Sequence, residues 1–249
     1  METKETAVPT YWYQTRRPLP SLVFMIPLLT LYEVGVLWMC GHDPDVLRNG
    51  ADSWMRWALE QAGLSPVYIL PAVIVLVFTV WQFSTREPWH IDGEVVLGML
   101  TESLVLAVAL MVIGRIQDIA FAQLETSPIA ASLGAPPPGV EKLVCYVGAG
   151  IYEETLFRLL LLPAVYFCLT CVGFPSLLSI TVAVTASGLA FSGAHFVGPG
   201  AEEFVWFSFI FRWVAGLFFA GVFVLRGFGI AVGAHAAYDI LVGVLHFRL

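Results

Sequence analysis

Charge is scarce in this chain: 12% of its 249 residues are charged and 58% are hydrophobic, whereas soluble domains carry roughly 25% charged residues. That shortage excludes an ordinary soluble globular protein. With a mean hydropathy of +0.81, it indicates a polytopic membrane protein whose partner is the lipid bilayer. Basic runs are also absent. The net charge is −7 and no stretch forms a basic patch, which argues for no nucleic-acid partner. The four cysteines, Cys40, Cys145, Cys168 and Cys171, do not have the spacing of a disulfide framework. Cys168-Leu-Thr-Cys171 has redox or zinc spacing, but the second pair of a zinc site is missing, so both read as small apolar side chains near a helix end. No sustained internal repeat is visible, which weakens a transporter built from duplicated halves. Trp38-Met39-Cys40 is not a small-residue cleavage site, so the first apolar run reads as a retained anchor.

What is present is a succession of long apolar runs. Lipid offers the backbone no partners, so only helices and closed barrels cross a membrane, and these runs are too long for barrel strands. The fold class is therefore all-α: a polytopic transmembrane helix bundle of about seven spans (six to eight), with an interfacial amphipathic helix. Residues 1–21 are a polar N-terminal segment. Spans are predicted over 22–40, 66–83 and 95–113, carrying Glu33 in the first and Glu102 in the third. Residues 46–64 read as a short helix lying at the interface, its tryptophans at headgroup level, with substrate gating as an alternative role. The connection 114–141 contains three consecutive prolines, Pro136 to Pro138, which cannot continue a helix. The fourth span starts just beyond them, with Glu141 in its first turn; Pro163 is expected to kink or end it, with a ragged continuation to Phe174 as the alternative. Further spans are predicted over 175–196, 204–225 and 228–245, the fifth rich in small residues that permit close helix approach. Basic residues are nearly balanced between the two sides, and an inside N-terminus is favoured.

The fourth span contains Glu153, Glu154 and Arg158. A charge near the middle of a membrane helix costs at least ~2.5–3.5 kcal/mol, so three within six residues require a reason. Glu154 and Arg158 are four apart and share a face, in the favourable order for an ion pair. Glu153 lies about 100° round the helix, where Arg158 is a poorer partner. One carboxylate thus reads as structural and the other as free for chemistry. Phe191 and His195 lie four apart in the fifth span, and His235 and Asp239 four apart in the seventh. Apolar helices turn such groups toward one another or toward water, and the simplest packing gathers Glu153, His195 and His235 in one pocket. Such a carboxylate can act as general base on water, with a neighbouring donor stabilising the oxyanion. Alternatively, Glu153, His195 and His235 could hold a divalent metal such as zinc, with an open position for water. Both routes hydrolyse an amide; no other cofactor is implied.

The ordered set Glu153-Glu154-x-x-x-Arg158, Phe191-x-x-x-His195 and His235-x-x-x-Asp239 resembles the motifs of the CAAX protease and bacteriocin-processing family, also called the Abi family of intramembrane endopeptidases. The resemblance covers about residues 140–245. It implies a catalytic helix bundle over 140–249, preceded by N-terminal transmembrane helices and connections over 22–139. The implied substrate is a membrane-associated protein or peptide, and the implied location is the bacterial cell (inner) membrane. By this resemblance Glu153 activates water and His195 orients or polarises it. His235 and Asp239 stabilise the oxyanion, and Glu154, Arg158 and Phe191 support the site. Members of the family have been described both as metalloproteases and as metal-independent glutamate peptidases. Many carry asparagine where this chain has Asp239, and an ionised aspartate would repel an oxyanion. Two other readings use the same residues: a non-proteolytic immunity or scaffold protein, and an ion-coupled carrier with Glu33, Glu102 and Asp239 as relays.

Overall fold

The computed structural model describes residues 10–40, 46–122, 139–198 and 201–244, and all its regular elements are helical. In chain order they are α1 (Tyr11–Gln14), α2 (Pro18–Cys40), α3 (Gly50–Gln61), α4 (Pro66–Thr85), α5 (Gly93–Ala122) and α6 (Val140–Glu154). A π-helical stretch (Thr155–Leu161) joins α6 to α7 (Leu162–Cys171). Then follow α8 (Ser176–Ala194), α9 (Trp206–Arg226), α10 (Phe228–Asp239) and a second π stretch (Ile240–Val244). Six helical segments are long and apolar enough to cross a membrane, and Phe228–Val244 is a shorter apolar helix. The chain is an integral, multi-pass membrane protein.

Three elements differ from the sequence expectation. The third span does not stop at residue 113; α5 runs on to Ala122. Gly114 does not break it, and its bare Cα makes room for the Phe211 ring. Beyond it, Gln117 donates to the Phe207 carbonyl at 3.1 Å and Phe121 packs edge-on against Phe207. The early part of the expected connection is thereby helical, and its three prolines lie outside the described residues. Pro163 does not end the fourth span, which runs continuously over Val140–Cys171. A proline ring crowds the carbonyl four residues back in a regular α-helix, and here the wider π turns directly precede it. The segment 46–64 is a true helix over Gly50–Gln61, but it does more than float at an interface. It packs on α4 and α6.

An ionic cluster holds α3 in place. Asp52 has no solvent exposure and accepts from Tyr32 at 2.7 Å, Arg48 at 2.8 Å and Arg56 at 2.6 Å. Arg56 also reaches Glu33 of α2 at 2.8 Å, and Tyr152 of α6 donates to the same carboxylate. Glu33 is thus paired within the bundle. Glu102 is too: Arg226 grips it bidentately at 2.5 and 2.7 Å, and Tyr11 donates to it at 2.8 Å. All four cysteines are free.

The core centres on α10. Every residue from Phe228 to Ala236 is buried, as expected of a helix that is apolar all round. Its small residues allow α6 to approach: a Cβ on Gly150 would lie 2.9 Å from the Ala236 Cβ and 3.0 Å from the Val232 carbonyl. This contact brings the Glu153-Glu154 turn against His235. On α8 and α9, Gly188 and Gly216 meet backbone to backbone in the same way.

Breaking a buried ion pair from one side costs about 3–5 kcal/mol. Asp52→Ala is therefore expected to lower unfolding free energy by that order, read from the denaturation midpoint of the detergent-solubilised protein. An unchanged midpoint would mean that the cluster contributes nothing to stability.

Candidate active site

The end of α6 presents its two carboxylates to different neighbours. Glu154 has no solvent exposure; its Oε2 lies 3.2 Å from the Arg158 Nε and its Oε1 is 2.8 Å from the His235 Nδ1. Arg158 is equally buried. Its guanidinium lies over the Phe191 ring at 4.4 Å and donates to the Gly216 carbonyl at 3.2 Å, a contact that the close α8–α9 approach makes reachable. Glu153 retains 12% side-chain exposure, and its Oε2 faces two imidazoles, 4.0 Å from the His195 Nε2 and 3.8 Å from the His235 Nε2. Asp239 also approaches His235, 3.6 Å from the same Nε2.

Hydrogen bonding assigns the imidazole protons. The Phe191 carbonyl can only accept, so the His195 Nδ1, 2.9 Å away, carries hydrogen and Nε2 of the neutral ring offers a lone pair. The His235 Nδ1 faces the Glu154 carboxylate and likewise donates. Both Nδ1 atoms are thus occupied, and both Nε2 atoms are turned to Glu153. Aromatic packing sets the ring planes. His235 stacks on Phe219 with centroids 4.5 Å apart, and Phe191 meets both histidines edge-on at 5.2 and 5.7 Å. Phe191 is therefore the common wall of the two imidazoles and the floor beneath Arg158.

Two Nε2 atoms and a carboxylate oxygen are the donor types that zinc takes. Among the described residues, however, no group of three or more His, Cys, Asp or Glu is placed to hold a metal ion. The chemistry below is derived for the side chains alone.

A cavity of about 180 Å³ opens beside Glu153 and His195, lined also by Phe157, Trp54, Asn49 and Glu202. The sequence reading singled out none of the last four for the site. Asn49 had a legible signal, as the cap of the helix beginning in Asn-Gly-Ala-Asp; its Oδ1 accepts from the Asp52 N–H at 2.8 Å. Glu202 is held by Arg212 at 2.6 Å. The relays of a carrier are not assembled here, since Glu33 and Glu102 are each engaged by arginines in separate clusters.

The π-helical stretch begins directly after Glu154, and Ser187 of α8 donates to its Phe157 carbonyl at 2.7 Å. Such insertions frequently mark functional sites. They re-aim the helix face without breaking the helix.

No curated protein and no solved structure matches the chain. A family model does, over residues 138–241, the stretch that contains both carboxylates, Arg158, both histidines and Asp239; its description is type II CAAX prenyl endopeptidase, Rce1-like. Over that stretch, this multi-pass membrane chain is similar to the Rce1-like type II CAAX prenyl endopeptidase family.

Proposed function

We propose that the protein is an intramembrane endopeptidase hydrolysing a peptide bond of a membrane-associated protein or peptide in the bacterial inner membrane. One observation carries this reading: Glu153 lines the cavity with two imidazole Nε2 atoms about it, while its neighbour Glu154 is spent on Arg158 and His235. The family match supports peptidase chemistry in general.

In the proposed reaction a water binds between the Glu153 Oε2 and the His195 Nε2, the imidazole lone pair accepting one of its hydrogens. Glu153 removes the other proton as the water oxygen bonds to the scissile carbonyl carbon. The carbonyl oxygen gains the electron pair and needs donors. Glu153 then returns its proton to the amide nitrogen as the C–N bond breaks, so that one carboxylate serves as base and then acid. Glu154, Arg158 and Phe191 hold the histidines in register. Asp239 has no donor when ionised, so we assign it to orienting His235, 3.6 Å from its Nε2, or, when protonated, to the oxyanion.

Cells lacking the gene, restored with wild type or Glu153→Gln at matched levels of folded protein, are to be compared by mass spectrometry of membrane peptide termini. Termini seen only with wild type are expected, with the substituted protein reduced by at least ~10²-fold. Identical termini together with a phenotype rescued by both would instead favour the scaffold reading. Asp239→Asn is expected to retain activity, because the amide can do what either role of Asp239 requires. A folded but inactive variant would show that the carboxylate itself is needed.

A further inference from the structure

One wall of the cavity beside Glu153 comes from outside the stretch 138–241: the start of α3. On that helix Gly50, Ala51 and Trp54 line the cavity. Trp54 is three residues from Ala51 and four from Gly50, so they share a face. Asp52 and Arg56 lie on another face, held by Tyr32, Arg48 and Glu33. The ionic cluster therefore fixes the rotation of α3, and that rotation sets Trp54 opposite the wall that carries Glu153 and His195.

Trp54 also reaches across to the loop after α8. A Cβ added at Gly198 would stand 3.7 Å from its Nε1 and 3.8 Å from its Cζ2, and Val197 and Ala201, either side of that glycine, line the cavity too. The indole thus closes the gap between α3 and the loop. It and Phe157 are the aromatic walls, while Ala51, Ala194 and Ala201 are small.

What fits such a space is narrowly defined. At about 180 Å³ it is smaller than the ~300–1,000 Å³ of sites that enclose a whole small ligand, so it takes a side chain and not a length of peptide. Burying a charge there is unfavourable unless the charge is paired. An acidic side chain would meet the carboxylates of Glu153 and Glu202. Glu202 is already held by Arg212, and a cation on Glu153 would occupy the base that the reaction needs. An apolar side chain is the occupant that the walls match. Because Glu153 is in the same lining, that side chain belongs to a residue beside the bond being cut.

We propose that Trp54 is a specificity-determining residue: its indole is the wall that limits the size of the apolar substrate side chain held beside the scissile bond. The proposal rests on the peptidase reading above. Asp52, two residues away, is anchored by Tyr32, Arg48 and Arg56, so α3 does not give way to a bulky side chain.

The bond to be tested is taken from termini that appear only with wild type. Peptides spanning it, with Ala, Leu, Phe or Trp at either flanking position, are then cleaved in detergent by purified wild type, Trp54→Phe, Trp54→Ala and Glu153→Gln. The readout is the ratio of kcat/KM for the Trp peptide to that for the Ala peptide, in which any loss of folded enzyme cancels. At one flanking position this ratio is expected to rise about tenfold or more in Trp54→Ala, the low end of what one mis-sized apolar group is worth in a pocket, with Trp54→Phe in between. Ratios that fall, or stay within about twofold of wild type at both positions, below that scale, overturn the role of Trp54. That holds also where every rate drops together, which is the behaviour of a purely structural tryptophan. A silent Glu153→Gln then leaves the peptidase reading standing. If no terminus depends on wild type, or Glu153→Gln cuts as fast as wild type, that reading fails and this proposal with it.

Discussion

A guanidinium with no solvent exposure in an apolar bundle is the constraint around which this site is built. Arg158 cannot be left without a counter-charge, because an uncompensated buried charge is among the costliest defects in a fold. Glu154 supplies the charge, the Phe191 ring a polarisable face and the Gly216 carbonyl an acceptor. Each comes from a different helix, and the last is within reach because Gly188 and Gly216 carry no Cβ to keep α8 and α9 apart. Glu154 has a second oxygen, and it takes the His235 Nδ1. One buried cation thus orders α6, α8, α9 and α10 together. It also leaves Glu153, a residue earlier, without a full-time partner.

Much of this was legible in the sequence because helical spacing is a strong local rule. The four-residue intervals of Glu154–Arg158, Phe191–His195 and His235–Asp239 put each pair on one face before any packing was known, and the long apolar runs defined the spans. What could not be read were contacts that depend on which helices become neighbours. Glu33 and Arg56 are separated by a connection, and Glu102 and Arg226 by most of the chain, yet each pair closes an ion pair. As isolated charges in apolar runs they were compatible with a carrier's relays, and for Glu33 equally with pairing inside the bundle. Pro163 left the end of the fourth span open, because the rule about proline assumes a regular α-helix before it, and the π turns change that geometry.

The helix α3 is the clearest case of a local pattern that was right in kind and incomplete in meaning. Tryptophans among polar residues do indicate an amphipathic helix, and Trp57 is indeed exposed. The pattern contains no sign that Asp52 and Arg56 would be buried against α2 and α6, because charges on an amphipathic helix ordinarily face water. Only the partners Tyr32, Glu33 and Tyr152 reveal that the polar face is the docking face. The helix expected at the interface is also bolted to the bundle by its charges.

The way into the cavity has a direction. Besides Glu153 and Phe157, its walls come from the start of α3 and from Ala194, His195, Val197, Ala201 and Glu202, in segments that connect α2 to α4 and α8 to α9. Counting the crossings, both connections emerge at the end of the bundle opposite the start of α2. In the proposed reaction a peptide entering between these segments comes from that end of the bundle. Sidedness would then be a property of the fold, because the cavity beside Glu153 is walled by connections from one end only.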